Sequence, residues 1–184
     1  MSMSNGSAGR LARIRRVSTI MSWVVALGGL GLLGLFLWVW SEPALLHDLL
    51  AESTGIRVAG ALTPLAYWGS FAAAWLPLSL ALATLWLGWR LFRGYAQGEI
   101  FTRPAARRLG GIGRLLLATV AAGVVARTLS VLALTWENPP GQRQLAVSLS
   151  STDFGLAVLG LLLTVVGWVL AEAARLADEN RLFV

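Results

Sequence analysis

Four long stretches of this chain are almost free of charge, and this feature restricts the fold more than any other. They are residues 17–41, 58–89, 112–136 and 154–170. A helix rises ~1.5 Å per residue, so about 20 residues cross a hydrocarbon core about 30 Å thick. The pattern predicts an all-α polytopic membrane protein, a single domain over residues 1–184, with four transmembrane helices packed as a bundle. The spans are predicted at residues 18–40, 66–89, 112–136 and 154–174.

The charged residues are too few to cover a water-facing surface. They make up 13% of the chain, against about 25% in a typical soluble domain. The net charge of +6 comes from arginine alone. Because the arginines cluster beside apolar segments, we expect contact with anionic lipid headgroups and no direct contact with nucleic acid. Since cysteine is absent, disulfides and thiolate metal sites are excluded.

The first apolar stretch has the length and the ending of a transmembrane span, not those of a signal peptide that is cleaved off. A signal peptide would have an apolar region of about 7–15 residues before a small-x-small site, whereas the first stretch is longer and ends at Glu42 and Pro43.

In the second stretch, Trp68 and Trp86 mark the two membrane interfaces. Pro77 lies between them and is expected to kink the helix.

The arginines alternate between the two sides of the predicted membrane. Four precede the first span, six lie between residues 90 and 114, and two follow the last span, but loops 42–64 and 137–153 have one each. By the positive-inside rule, we expect both termini on the cytoplasmic side. Arginine in place of lysine, with abundant Ala, Gly and Leu, suggests a GC-rich bacterial genome and hence the plasma (inner) membrane. The cytoplasmic parts are a connector, residues 90–111, and a tail, residues 175–184.

The first loop contains a short apolar-polar repeat, ALLHDLLAE, at residues 44–52. The repeat predicts an amphipathic helix lying on the membrane surface. Its four leucines are expected to face lipid: Leu45, Leu46, Leu49 and Leu50.

Arg127 is the most conspicuous residue within a predicted span. It lies nine residues before Trp136, or roughly 13 Å below the interface, where a charge costs at least ~2.5 kcal/mol. One interpretation is that its side chain extends outward to Glu137 or Asp153. The other is a binding charge in a small transporter or channel, although no acidic residue lies inside any of the four almost uncharged stretches.

We find no residue pattern typical of catalysis, of a cofactor or of a metal site. His47 is the only histidine, and Asp48 and Glu52 form only a loose constellation with it. Gly110, Gly111 and Gly113 resemble a phosphate-binding loop superficially. They lack the full glycine pattern, the preceding strand and the acidic residue of a dinucleotide fold, and we expect them to loosen the start of the third helix. The chain is therefore predicted not to be an enzyme.

Small residues recur at helical spacing inside the spans. In lipid, helices associate where small residues let their backbones approach closely. Such stripes predict a compact bundle and could also support a homodimer. They comprise Ala118, Ala122 and Ala126 on the third span, Gly69 and Ala73 on the second, and Gly28, Gly29, Gly31 and Gly34 on the first.

The connector contains the features of a well-defined turn. Thr102 is suited to cap a helix, and Pro104 suits that helix's first turn. Gly94 and Gly98 permit the chain to turn after the second span. Two hypotheses remain open: a turn surrounded by headgroup-binding arginines, or a docking surface made with the tail.

The connector and the tail also carry a family resemblance. The run from Gly98 through Phe101 and Thr102 continues to Arg108-Leu109 and Gly111, and residues 176–184 form an acidic run before a β-prone end. Both resemble the bacterial four-span membrane family called domain of unknown function 2975. The resemblance implies a membrane partner or sensor for a cytoplasmic helix-turn-helix transcription regulator. The predicted docking residues are Gly98, Phe101, Thr102, Arg103, Glu179 and Asn180.

Overall fold

The computed structural model describes residues 3–55, 62–100, 102–136, 145 and 147–180, and side chains from residue 13 to residue 179 within those ranges. These ranges contain helices and no strand, which confirms the all-α fold class. Five helices follow one another along the chain. They are α1 (Met3–Ser41), α2 (Pro43–Thr54), α3 (Pro64–Ala96), α4 (Arg103–Thr135) and α5 (Ser151–Asn180).

Four helices, α1, α3, α4 and α5, are long and apolar enough to cross a membrane. The helix α3 continues without a break through Pro77. Because α3 ends at Ala96 and α4 begins at Arg103, most of the connector is helical and only a short turn joins the two helices. The α5 helix continues beyond the predicted span as far as Asn180.

The long helices pack side by side in the order α1, α3, α4, α5. Among the described residues, α1 packs on α3 and α2, and α5 packs on α4 alone, so the bundle is open. Ala122 and Ala126 are buried. A Cβ added at Gly69 would lie 3.0 Å from the Cβ of Ala133, so α3 and α4 meet at the predicted small residues.

Glycines also bring α4 and α5 into backbone contact. A Cβ at Gly167 would lie 2.6 Å from the Cα of Gly110, and one at Gly113 would lie 2.5 Å from the carbonyl oxygen of Gly160. Real side chains do not fit at such distances. Gly110 and Gly113 therefore have a packing role that the sequence did not indicate, and the expected loosening of the helix start stays a prediction. The two glycines allow the backbones of α4 and α5 to approach closely.

The predicted helix in the first loop is present as α2, but part of its orientation differs. Leu46 and Leu50 are buried against Trp40 and do not face lipid, whereas Leu49 is exposed. Aromatic rings of α1 and α3 surround this cluster, and the Tyr67 hydroxyl donates to the Trp40 carbonyl oxygen at 2.9 Å. Periodicity marks an apolar face, and it does not tell whether lipid or protein covers that face.

The two ends of the helix array differ in what they contain. At one end, Arg15 of α1 lies beside Gly98, and Asp178 of α5 lies beside Arg103. We call this the connector end; the opposite end contains α2. The beginning of α1 and the end of α5 thus share the connector end, and its placement in the cytoplasm stays a prediction from the arginine count.

Candidate functional site

The turn between α3 and α4 depends on a glycine. Gly98 has a φ of +94°, a conformation that L side chains rarely adopt. The Glu99 N–H donates to the Gly94 carbonyl oxygen at 3.0 Å, which closes the end of α3. Gly98 thus has a backbone role, and its predicted docking role stays a prediction.

Arg108 reaches back from α4 and holds this turn. Its Nη1 lies 3.6 Å from Oε2 of Glu99 and donates to the carbonyl oxygen of Arg90 at 3.4 Å. A cation at the end of a helix also interacts favourably with the carbonyl dipoles there. A Cβ at Gly94 would lie 2.7 Å from the same Nη1. The sequence did not indicate this contact, because the spacing alone does not show where α4 lies beside α3.

The start of α4 follows the local prediction. The Oγ1 of Thr102 accepts a hydrogen bond from the Ala105 N–H at 3.4 Å, and proline occupies the first turn. Thr102 is therefore the N-cap. Phe101, another predicted docking residue, lies outside the described residues.

An ion pair joins the connector to the end of α5. The Nε of Arg103 lies 3.2 Å from Oδ2 of Asp178, without hydrogen-bond geometry. Glu179, a predicted docking residue, lies 3.7 Å from Arg175 of its own helix. The side chain of Asn180 lies outside the described side chains. The docking role of both residues stays a prediction, and the sequence did not indicate Asp178 as the contact of Arg103.

An apolar cavity of about 280 Å³ lies between the turn and α5. Thr102 stands at its edge, next to the Arg103–Asp178 pair. Small side chains on α5 leave the space open. The lining residues are Tyr95, Ile100, Thr102, Ala106, Leu170, Ala173, Ala174 and Ala177.

At the opposite end, Arg127 has an acidic partner. Its Nη2 lies 2.5 Å from Oδ2 of Asp153 and donates to the Ser148 carbonyl oxygen at 3.1 Å. Of the two sequence-derived partners, Asp153 makes the contact, and Glu137 lies outside the described residues. Asp153 belongs to the first turn of α5, one residue before the predicted start of the span, so the interpretation that Arg127 extends outward to Asp153 agrees with the structure.

Local hydrogen bonds fix the Asp153 carboxylate. Its Oδ2 accepts from the Ser150 N–H at 2.8 Å, and the Asp153 N–H donates to the Ser150 hydroxyl at 3.1 Å. This reciprocal pair satisfies free donors at the start of α5. Arg127 also borders an open cavity of about 590 Å³ that includes Glu52. Its use as a binding charge in transport stays a prediction.

Metal-ligating side chains are not grouped in the part of the chain that the structure describes. No set of three or more His, Cys, Asp or Glu residues lies close enough there to hold an ion. The structure therefore assigns no residue to a metal.

Four helices that are long and apolar enough to cross a membrane define a multi-pass integral membrane protein. The sequence matches the family described as "Protein of unknown function (DUF2975)" over residues 47–184. This match covers most of the chain, so the protein belongs to that family, as its connector and tail motifs indicated. No curated protein matches the chain, and no solved structure does.

Proposed function

We propose that this protein is a non-enzymatic membrane protein that binds a cytoplasmic protein partner at its connector end. The surface consists of the α3–α4 turn and the last three turns of α5. The observation that supports it is the apolar cavity between these two segments, with the Arg103–Asp178 pair beside it. Both segments lie within the family match.

The size and lining of the cavity favour an apolar side chain of a protein as its occupant. At about 280 Å³, it is smaller than most small-molecule pockets, which measure about 300–1,000 Å³. Partner proteins commonly insert one or two apolar anchors into such a pocket, surrounded by a polar rim. Here Arg103 and Asp178 supply that rim.

The chemistry of the partner follows from the rim and from the family. Arg107, about one helical turn after Arg103, is exposed, so a partner with carboxylates beside its apolar anchor would be attracted. The family resemblance implies a small helix-turn-helix transcription regulator in this role. The protein would then hold the regulator at the inner membrane, with both of its own termini in the cytoplasm.

The test is a binding measurement with the full chain in lipid nanodiscs and purified small helix-turn-helix regulators, the partner class that the family resemblance implies. Ala177→Trp, which fills the cavity, is expected to weaken binding at least tenfold. Leu176→Trp is the matched control, because Leu176 is the exposed neighbour on the same helix and does not line the cavity.

Equal binding by wild type and Ala177→Trp would contradict the proposed surface. No binding by the wild type would contradict the proposed partner. Retention of thermal stability by both variants shows that the difference arises from the surface and not from unfolding.

A further inference from the structure

A second apolar cavity lies on the side of the bundle, between α1 and α3. It is an open groove of about 360 Å³ within the candidate spans of both helices. Gly29 lies on its α1 side, where a Cβ would make an ordinary contact with Leu85 of α3 at 3.8 Å. The groove is lined by Val25, Ala26, Gly29, Leu30, Leu33, Leu82, Leu85, Trp86 and Trp89.

Two arginines lie at the end of this groove that is nearest the connector, each in contact with a tryptophan ring. The guanidinium carbon of Arg90 lies 4.9 Å from the ring centroid of Trp86, and that of Arg93 lies 5.0 Å from that of Trp89. Both tryptophans line the groove. Cation–π contact thus keeps both charges next to the groove instead of leaving them free in solvent.

Neither charge is neutralised within the described ranges. Four other arginines each contact a carboxylate, whereas no carboxylate lies within 4.0 Å of the guanidinium of Arg90 or of Arg93 in the part of the chain that the structure describes. Arg15 of α1 lies at the same end, beside Gly98. The two exposed arginines thus place positive charge at one end of an apolar groove. This arrangement suits a molecule that has an anionic group and an apolar chain.

We propose that this groove binds one anionic diacyl phospholipid. An acyl chain lies between α1 and α3, and the phosphate contacts Arg90 and Arg93. The charge complementarity selects an anionic headgroup, since the ammonium of a zwitterionic lipid would lie close to the same arginines. Because α1 packs on no other long helix in the described structure, the lipid would also brace α1 against α3. This inference is independent of the proposed partner.

The test is native mass spectrometry of the full chain, purified after reconstitution in vesicles of equal parts phosphatidylglycerol and phosphatidylcholine. The wild type is expected to retain phosphatidylglycerol at least tenfold over phosphatidylcholine. Arg90→Gln with Arg93→Gln is expected to abolish this preference. Ala26→Phe, which fills the groove and keeps both charges, is expected to lose both lipids.

The matched control is Arg107→Gln with Arg114→Gln, which removes the same charge from two exposed arginines of α4. Lipid loss in this control equal to that in the Arg90/Arg93 variant would overturn the proposal, as would equal retention of both lipids by the wild type. Excess glycerol 3-phosphate is expected to leave the bound lipid in place. Its displacement would show a phosphate site without a lipid groove and would also overturn the proposal.

Discussion

An arginine–aspartate pair ties α5 to α4 at each end of the molecule, but the two pairs have different surroundings. Between Arg127 and Asp153 the contact is 2.5 Å, with side chains 21% and 10% exposed. Between Arg103 and Asp178 it is 3.2 Å, with side chains 40% and 60% exposed. One pair is a structural tie of the fold, and the other remains accessible to a partner.

The two ion pairs are expected to contribute different amounts to the free energy of unfolding. Removing one partner of a buried pair leaves an uncompensated charge and costs about 3–5 kcal/mol. An exposed pair is screened by solvent and contributes about 0–1 kcal/mol. We therefore expect the Arg127–Asp153 pair to contribute more to the free energy of unfolding. The Arg103–Asp178 pair contributes less and is available for the proposed partner.

The largest effect is expected at the less exposed pair, Arg127–Asp153. Arg127→Leu removes the cation from Asp153 but leaves its bond from the Ser150 N–H, so it should lower the free energy of unfolding by about 2–3 kcal/mol. Denaturant unfolding in detergent micelles measures this loss. The double variant with Asp153→Leu should recover most of it, because apolar side chains can replace a buried pair without a large penalty.

If the double variant is as unstable as the single one, the pair is not the reason for the loss. The folded double variant also addresses the transport hypothesis for Arg127. Chloride flux into liposomes that continues unchanged in this variant would contradict a binding charge at that position.

A smaller effect is expected where glycines join α4 to α5 near the connector end. Gly113→Val places a side chain against the backbone of Gly160 and should cost about 2 kcal/mol by overpacking. Gly28→Val is the control, since a Cβ there meets nothing within 4 Å and the change in helix propensity is the same. Equal losses would show that the close contact does not hold this end together.

The smallest effect on stability is expected at the exposed pair. Arg103→Gln should change the free energy of unfolding by about 0.5 kcal/mol or less. The same variant should weaken binding of the proposed partner several-fold, because it removes part of the rim of the cavity. Asp178→Asn, which keeps the shape of the side chain, tests the other half of the pair. A loss of stability equal to that of Arg127→Leu would remove the distinction between the two ends.

Features that depend on neighbouring residues were predictable from the sequence. Thr102 caps α4 because its hydroxyl reaches an N–H three residues ahead, and α2 forms because its apolar residues recur at helical spacing. Arg175 pairs with Glu172 and Glu179, as their spacing of three and four residues predicts.

Features that depend on the relative rotation of two helices were not predictable in the same way. Asp178 and Glu179 are adjacent in the sequence, yet only Asp178 is directed at Arg103. Leu46 and Leu50 are apolar like Leu49, yet an aromatic cluster from α1 and α3 covers only the first two. One residue along a helix changes direction by about 100°, so a local pattern cannot choose between neighbours.

The sequence by itself determined that this is a four-span membrane protein of the DUF2975 family, since apolar length and short motifs are local properties. Only the tertiary structure decided which charges meet, where the cavities open and which glycines allow backbone contact. The physical reason is that partners such as Arg127 and Asp153 lie on different helices. Their contact depends on how α4 and α5 are rotated and how closely they approach, and packing along the whole length of both helices decides this.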